Sequence, residues 1–232
     1  MNSLVVIPSK AMSIRCPNKN EYLLPIALTQ IKDVGIDMNN VVVCAEKPGY
    51  ISDIAKRFGA KFMEDPPCPD GEGSSLLPLE KAYDLYGENF EDILYVSSTY
   101  PFKSKYMFSS IVQKRRTLGC QISAIGYVQK DLTPLIHKVS KESLKINNNK
   151  MGEGVKRQDV VYVCDSLLCL APSVCREYKY ASELKEFWKK PSMAISKFEI
   201  PFYDVDEELD LEIIKCLYPK FKDIFWKTTE TL

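Results

Sequence analysis

The chain has 232 residues and a mass of 26.5 kDa, which suits one domain with a substantial core. Its 31 Lys and Arg are balanced by 31 Asp and Glu, so no global field draws it to nucleic acid or to an anionic membrane. Any anion site must therefore be a local concentration of charge.

Other classes fall away on the same totals. No apolar run approaches the ~20 residues of a membrane span and no signal peptide is evident, so the expectation is a cytoplasmic protein. The eight cysteines include no CxxC pair, and several sit in apolar runs, which favours reduced, buried thiols. His137 is the only histidine, so a His-rich metal centre is excluded.

The predicted elements open with Leu4–Ile7, a short apolar run that reads as a buried parallel strand ended by Pro8. A loop follows that carries Lys10, Arg15 and Lys19, with Ser9, Ser13, Asn18 and Asn20 as neutral donors and no acid before Glu21. Helical spacing begins at Leu23. Further strands are predicted at 40–45, 60–63, 92–96 and 121–128, with helices at 50–58, 74–86 and 105–118 between them. Ser74 and Ser75 are N-cap candidates for the second of these helices. Such alternation is the pattern of right-handed βαβ crossovers.

From 129 to 163 the period is lost and Asn and Gly mark turns, which suits an antiparallel insertion, or equally a plain surface excursion. The α/β pattern then resumes with strands at 166–170 and 197–200 and helices at 182–189 and 207–217. The stretch 218–226, YPKFKDIFW, is expected to be an amphipathic turn packed on the domain.

Two stretches carry chemistry. A strand that empties into a cationic loop and then a helix can gather a polyphosphate, although the same residues describe an ordinary basic surface loop. Neither a Walker A motif nor GxGxxG is present, and the loop has no glycine. Near the far end, Asp204 and Asp206 are separated by one residue at a predicted strand end, so their carboxylates share a face. That arrangement fits Mg²⁺, or else acids capping the next helix, where Asp210 is expected to support the turn. Taken together, cations for phosphates and carboxylates for a divalent ion point to nucleotidyl transfer.

The order of these pieces resembles the acylneuraminate cytidylyltransferases, the CMP-sialic acid synthetases, with the CMP-Kdo synthetases as relatives. Residues 7–20, IPSKAMSIRCPNKN, align without a gap with that family's first loop, and Ser97–Lys103 corresponds to its QPTSPLR loop. Arg157-Gln158-Asp159 stands for its RQD stretch, and Asp204–Leu211 for its DIDxxxDL signature. The chain departs from the pattern at Lys10, where arginine is usual, at Ala11-Met12 in place of two glycines, at Ile14, at Ser97 and at Asp165-Ser166. The arginine of a family Arg-Pro pair is absent near Glu64–Pro67.

The resemblance implies an α/β, Rossmann-like nucleotidyltransferase of one domain, with a mostly parallel sheet flanked by helices. Residues 129–163 would form a small antiparallel dimerisation element, making the protein a homodimer. It implies CTP and an acidic, sialic-acid-like sugar as substrates, with Kdo, legionaminic or pseudaminic acid, another nucleotide, or a non-catalytic binding relative as alternatives. Lys10, Ser13, Arg15, Lys19, Asn20 and Ser74 would contact the nucleotide. Ser97, Thr99, Lys103, Arg157 and Gln158 would face the sugar. Asp204 and Asp206 would hold Mg²⁺ and, with Lys19, carry catalysis.

Overall fold

The computed structural model of the chain describes residues 2–11, 13–65, 76–129, 160–177 and 192–231. Among them runs one seven-stranded sheet in the order β3-β2-β1-β4-β6-β5-β7. The strands are β1 (Leu4–Pro8), β2 (Val41–Ala45), β3 (Lys61–Glu64), β4 (Ile93–Val96), β5 (Ile122–Gln129), β6 (Val160–Leu170) and β7 (Met193–Phe198). β1 to β4 are mutually parallel, β5 is parallel to β7, and β6 runs antiparallel to both β4 and β5.

Helices cover both faces. Val5 and Ile7 of β1 join a core cluster with α1 (Lys19–Asp33), α2 (Tyr50–Phe58), α4 (Lys105–Leu118) and α6 (Glu208–Trp226). Leu4 and Val6 face the opposite layer, α3 (Leu76–Tyr86) and α5 (Pro172–Glu177). This explains the sequence of the central strands. Every residue of β2 is fully buried, so the strand is apolar throughout and shows no alternation. Cys16, Cys44, Cys120, Cys169 and Cys175 are buried free thiols, as their apolar surroundings predict, whereas Cys216 is exposed.

Several boundaries differ from the sequence reading. α1 starts at Lys19, with Asn18 in the left-handed region (φ 57°) as its N-cap, so Lys19 and Asn20 belong to a first helical turn and not to a loop. β7 begins four residues earlier than expected. α6 continues to Trp226 through Pro219. The proline is tolerated because the carbonyl it leaves unpaired, at Lys215, lies on an exposed face open to water. Tyr218, Phe225 and Trp226 pack on the core, with the Phe102 and Phe225 rings edge to face at 5.0 Å, as expected of an amphipathic end.

Gln129 and Val160–Val163, read as part of an insertion, are strand residues of β5 and β6. The remainder of that insertion, the helix expected at 182–189, the acidic loop at 66–73 and Ser74–Ser75 lie outside the described residues.

Candidate functional site

The sheet order reverses between β1 and β4, with β2 and β3 running off one way and β6, β5 and β7 the other. In open α/β sheets ligands bind outside the carboxyl ends of the strands at this switch point. The two loops that leave it are 9–18 after β1 and 97–104 after β4. A third segment, 199–207 between β7 and α6, passes the same place and is held there by Val205 N–H donating to Thr99 O (3.0 Å). Val205 is fully buried, and the residues on either side of it, Asp204 and Asp206, are only partly so. Burial thus alternates across Asp204, Val205 and Asp206, but they do not stand at a strand end as the sequence suggested, since β7 ends at Phe198.

Lys19 reaches from α1 into this junction. Its ammonium donates to Val205 O (2.5 Å) and lies 3.8 Å from Asp206 Oδ1, with only 9% of the side chain exposed. Arg15, from the β1 loop, pairs with the same carboxylate oxygen at 3.0 Å. The basic loop and the acidic pair, about 190 residues apart in sequence, thus meet directly.

Asp204 is in a different state. Burial raises its carboxyl above the usual carboxylate range and Asp206 adds to this, while a hydrogen bond with Thr99 and the charge of Lys19 oppose it. Its Oδ1 is buried with no partner. A buried carboxylate oxygen left unmatched is costly, and an oxygen ligand of this kind is what Mg²⁺ prefers. Asp206 offers a second oxygen, now shared by two cations. Two carboxylates are the number Mg²⁺ commonly takes beside phosphate and water, so the donor set fits it, although among the described residues no group of three or more Asp, Glu, His or Cys is placed to hold a metal ion.

Other expected residues have mainly internal partners. Asn20, 2% exposed, donates to Lys10 O (3.0 Å) and accepts from Ser98 Oγ (2.8 Å), which ties the β1 loop to the β4 loop. Ser13 Oγ accepts from Cys16 N–H (3.3 Å). Ser97 Oγ and Thr99 Oγ1 share a 3.0 Å hydrogen bond. The Lys10 side chain is exposed.

Lys103, expected to face the sugar, is instead 1% exposed and donates to the carbonyls of Ser97 (2.9 Å) and Tyr100. Its ammonium is drawn inward because the turn it closes presents carbonyl oxygens that burial would otherwise leave unmet. Ser74, Arg157 and Gln158 lie outside the described residues.

Three acids that sequence reasoning passed over stand at the same strand ends. Asp165 lies where the β5–β6 register shifts, between Ala124 and Ile125, so that β6 bulges past the end of β4. Tyr95 and Tyr100 hydroxyls both donate to it at 3.4 Å, and burial raises its carboxyl. Glu46 follows β2 directly and accepts from Ala11 N–H (2.9 Å). Asp65 follows β3, and its carboxyl is pushed up to about 6, first by burial and then by Glu46. For Glu46 and Asp65 the signal was their position just after predicted parallel strands, which is where ligands approach such a sheet, whereas Asp165 lies within the antiparallel β6 and carried no such signal.

Two cavities lie elsewhere. One of about 90 Å³ is set between α1, the β4 loop and α6, and an open groove of about 460 Å³ runs along α4 and the C-terminal residues. Neither includes Lys19, Asp204 or Asp206.

Comparison with solved structures decides the fold. The chain is similar to a CMP:2-keto-3-deoxy-manno-octonic acid synthetase complexed with CTP, at TM-score 0.71 and 12% identity, over 95% of this chain and 99% of that one. The chain has the Rossmann-like nucleotidyltransferase fold. A 4-diphosphocytidyl-2C-methyl-D-erythritol synthase from Anaerococcus prevotii matches at TM-score 0.61 and 12% identity, over 94% and 97% of the two chains. Molybdopterin-guanine dinucleotide biosynthesis protein A from Archaeoglobus fulgidus matches at 0.58 and 12%, over 93% and 98%. No family model and no curated protein sequence matches the chain. No helix among the described residues is long and apolar enough to cross a membrane.

Proposed function

We propose that this nucleotidyltransferase-fold protein transfers a cytidylyl group from CTP to an acidic, sialic-acid-like sugar. The sugar hydroxyl attacks the α-phosphorus and loses its proton to water, while the bond to the β-phosphate oxygen breaks and pyrophosphate leaves. One observation carries the reading: Arg15, Lys19, Asp204 and Asp206, from opposite ends of the chain, converge at the switch point of the sheet. Arg15 and Lys19 would neutralise the triphosphate and align it, which is most of what such a reaction needs from the protein. Asp204 and Asp206 would hold Mg²⁺, whose charge offsets that of the triphosphate when bound.

The likeness to a CMP-Kdo synthetase complexed with CTP supports cytidine and an acidic sugar as the first substrates to try. A homodimer is part of the same reading, through the resemblance of the whole chain to the acylneuraminate cytidylyltransferases. A second reading, a binding relative without turnover, draws support from the ion pairs that occupy Asp206.

Pyrophosphate release from CTP and Mg²⁺ with a panel of sialic, Kdo, legionaminic and pseudaminic acids tests both. The expected result is turnover with one acid, lowered about 100-fold or more in Asp206→Ala. Turnover that survives this change removes the metal role, and CTP binding with no turnover on any acid selects the second reading.

A further inference from the structure

The peptide between Lys10 and Ala11 is held at both ends. Its carbonyl accepts from Asn20 Nδ2 at 3.0 Å, and its N–H donates to Glu46 Oε2 at 2.9 Å. The next carbonyl, of Ala11, accepts from Tyr50 OH at 3.1 Å. This peptide stands in the loop after β1, at the strand end where backbone amides of such folds meet an anion. Here the anion is one of the protein's own side chains.

We propose that Glu46 is a positioning residue that fills the anion position on the Ala11 amide, and that a substrate triphosphate gains this amide only by displacing the Glu46 carboxylate. The inference rests on the reading of the site as a triphosphate site. Three features of the loop and its neighbours support the exchange. Glu46 is exposed, so its carboxylate can swing into water with little desolvation cost. Asn20 holds this peptide and Tyr50 the next one independently of Glu46, so the amide keeps its place after the carboxylate leaves. Glu46 also sits near a second acid, the partly buried Asp65, whose carboxyl it helps to push up, so negative charge is concentrated at this strand end. The absence of glycine from the loop fits as well. With the peptide fixed by side chains from three elements, conformational freedom is not needed to aim it.

The charge of Glu46 thus acts against phosphate binding twice, by occupying a donor and by repelling an anion. The test is calorimetric titration of the full-length protein with inorganic tripolyphosphate, without metal, comparing wild type with Glu46→Gln and Glu46→Ala. Gln keeps an acceptor on the amide and removes only the charge, whereas Ala removes both. The expected result is tripolyphosphate binding about tenfold tighter in Glu46→Ala and tightening to a smaller degree in Glu46→Gln. Where turnover is measurable, the KM for CTP falls and kcat is unchanged.

A residue that merely builds the loop would weaken binding in both variants. That result, or equal affinity in all three proteins, overturns the proposal. Should Glu46→Ala fail to fold, Glu46→Gln alone decides, since removing repulsion must still tighten binding. The outcome is separate from the transferase reading. Turnover with unchanged anion affinity leaves the reading and sinks the role of Glu46, and tighter anion binding without turnover does the reverse.

Discussion

Among the described residues, three acids have raised carboxyls, Asp65, Asp165 and Asp204; all stand at one end of the sheet, and in each case burial is the first cause. Perturbed carboxyls clustered this way mark the end of the sheet that handles charge. Asp65 has a consequence for stability. Its folded value, about 6, lies above its ordinary value of 3.8, so the native state holds a proton that the unfolded chain has already lost between those limits. The stabilisation is complete below pH ~4 and is lost as the pH rises through ~6. Partial exposure of the side chain reduces the full linkage value, leaving about 1–2 kcal/mol. Urea unfolding should therefore show wild type gaining stability from pH 7 to pH 4.5 through this group. Asp65→Asn is expected to be the more stable protein at pH 7 and to show a flatter profile over that range.

Among the elements, the two ends of the strands are built for opposite purposes. At the amino end of β4, Asp92 is fully buried and clamped by Arg115 and Arg116 of α4, with Arg116 Nε at 2.6 Å from Oδ2. Its backbone carbonyl also accepts from Leu4 N–H at 3.0 Å, which joins β1, β4 and α4 through one residue. These charges are paired and serve the fold. At the carboxyl end, Asp204 keeps an unmatched oxygen, and Asp206 pairs with the exposed Arg15 and the buried Lys19. Removing the buried acid strands two guanidinium groups, so Asp92→Ala should cost about 3–5 kcal/mol in denaturant unfolding. Asp206→Ala, at the other end, is expected to cost less, about 1 kcal/mol, because its Arg15 partner is 65% exposed and the buried Lys19 ammonium, 3.8 Å away, keeps its hydrogen bond to Val205 O.

For the whole molecule, the 3-2-1-4 half of the sheet brings the β1 and β4 loops side by side, and segment 199–207 closes the junction from the far end of the chain. A ligand seated there would contact residues from several non-adjacent elements and favour the folded state by mass action. CTP with Mg²⁺ at about 100 times its Kd should add about 2.7 kcal/mol, a rise in Tm of roughly 5–10 °C for a chain of this size. Thermal melts with CTP, GTP and UTP would read base preference from the size of that shift. Equal shifts with all three would count against a site selective for cytidine.

What the chain determined by itself was local. Apolar runs, turn residues and 3.6-residue spacing are properties of neighbouring residues, so β1 to β5 and α2 to α4 were legible within a few positions. The two charged stretches were visible for the same reason. Tertiary structure decided what no local pattern encodes. Lys103 and Lys19 look alike in sequence, yet one is sealed under carbonyls of its own turn and the other reaches an aspartate from the far end of the chain. The antiparallel course of β6, the helix running through Pro219 and the capture of the Ala11 amide by Glu46 likewise depend on long-range partners. The environment of a charged side chain is set by which strands lie beside it. Strand order follows from packing both faces of the sheet at once, and that is a property of the folded molecule only.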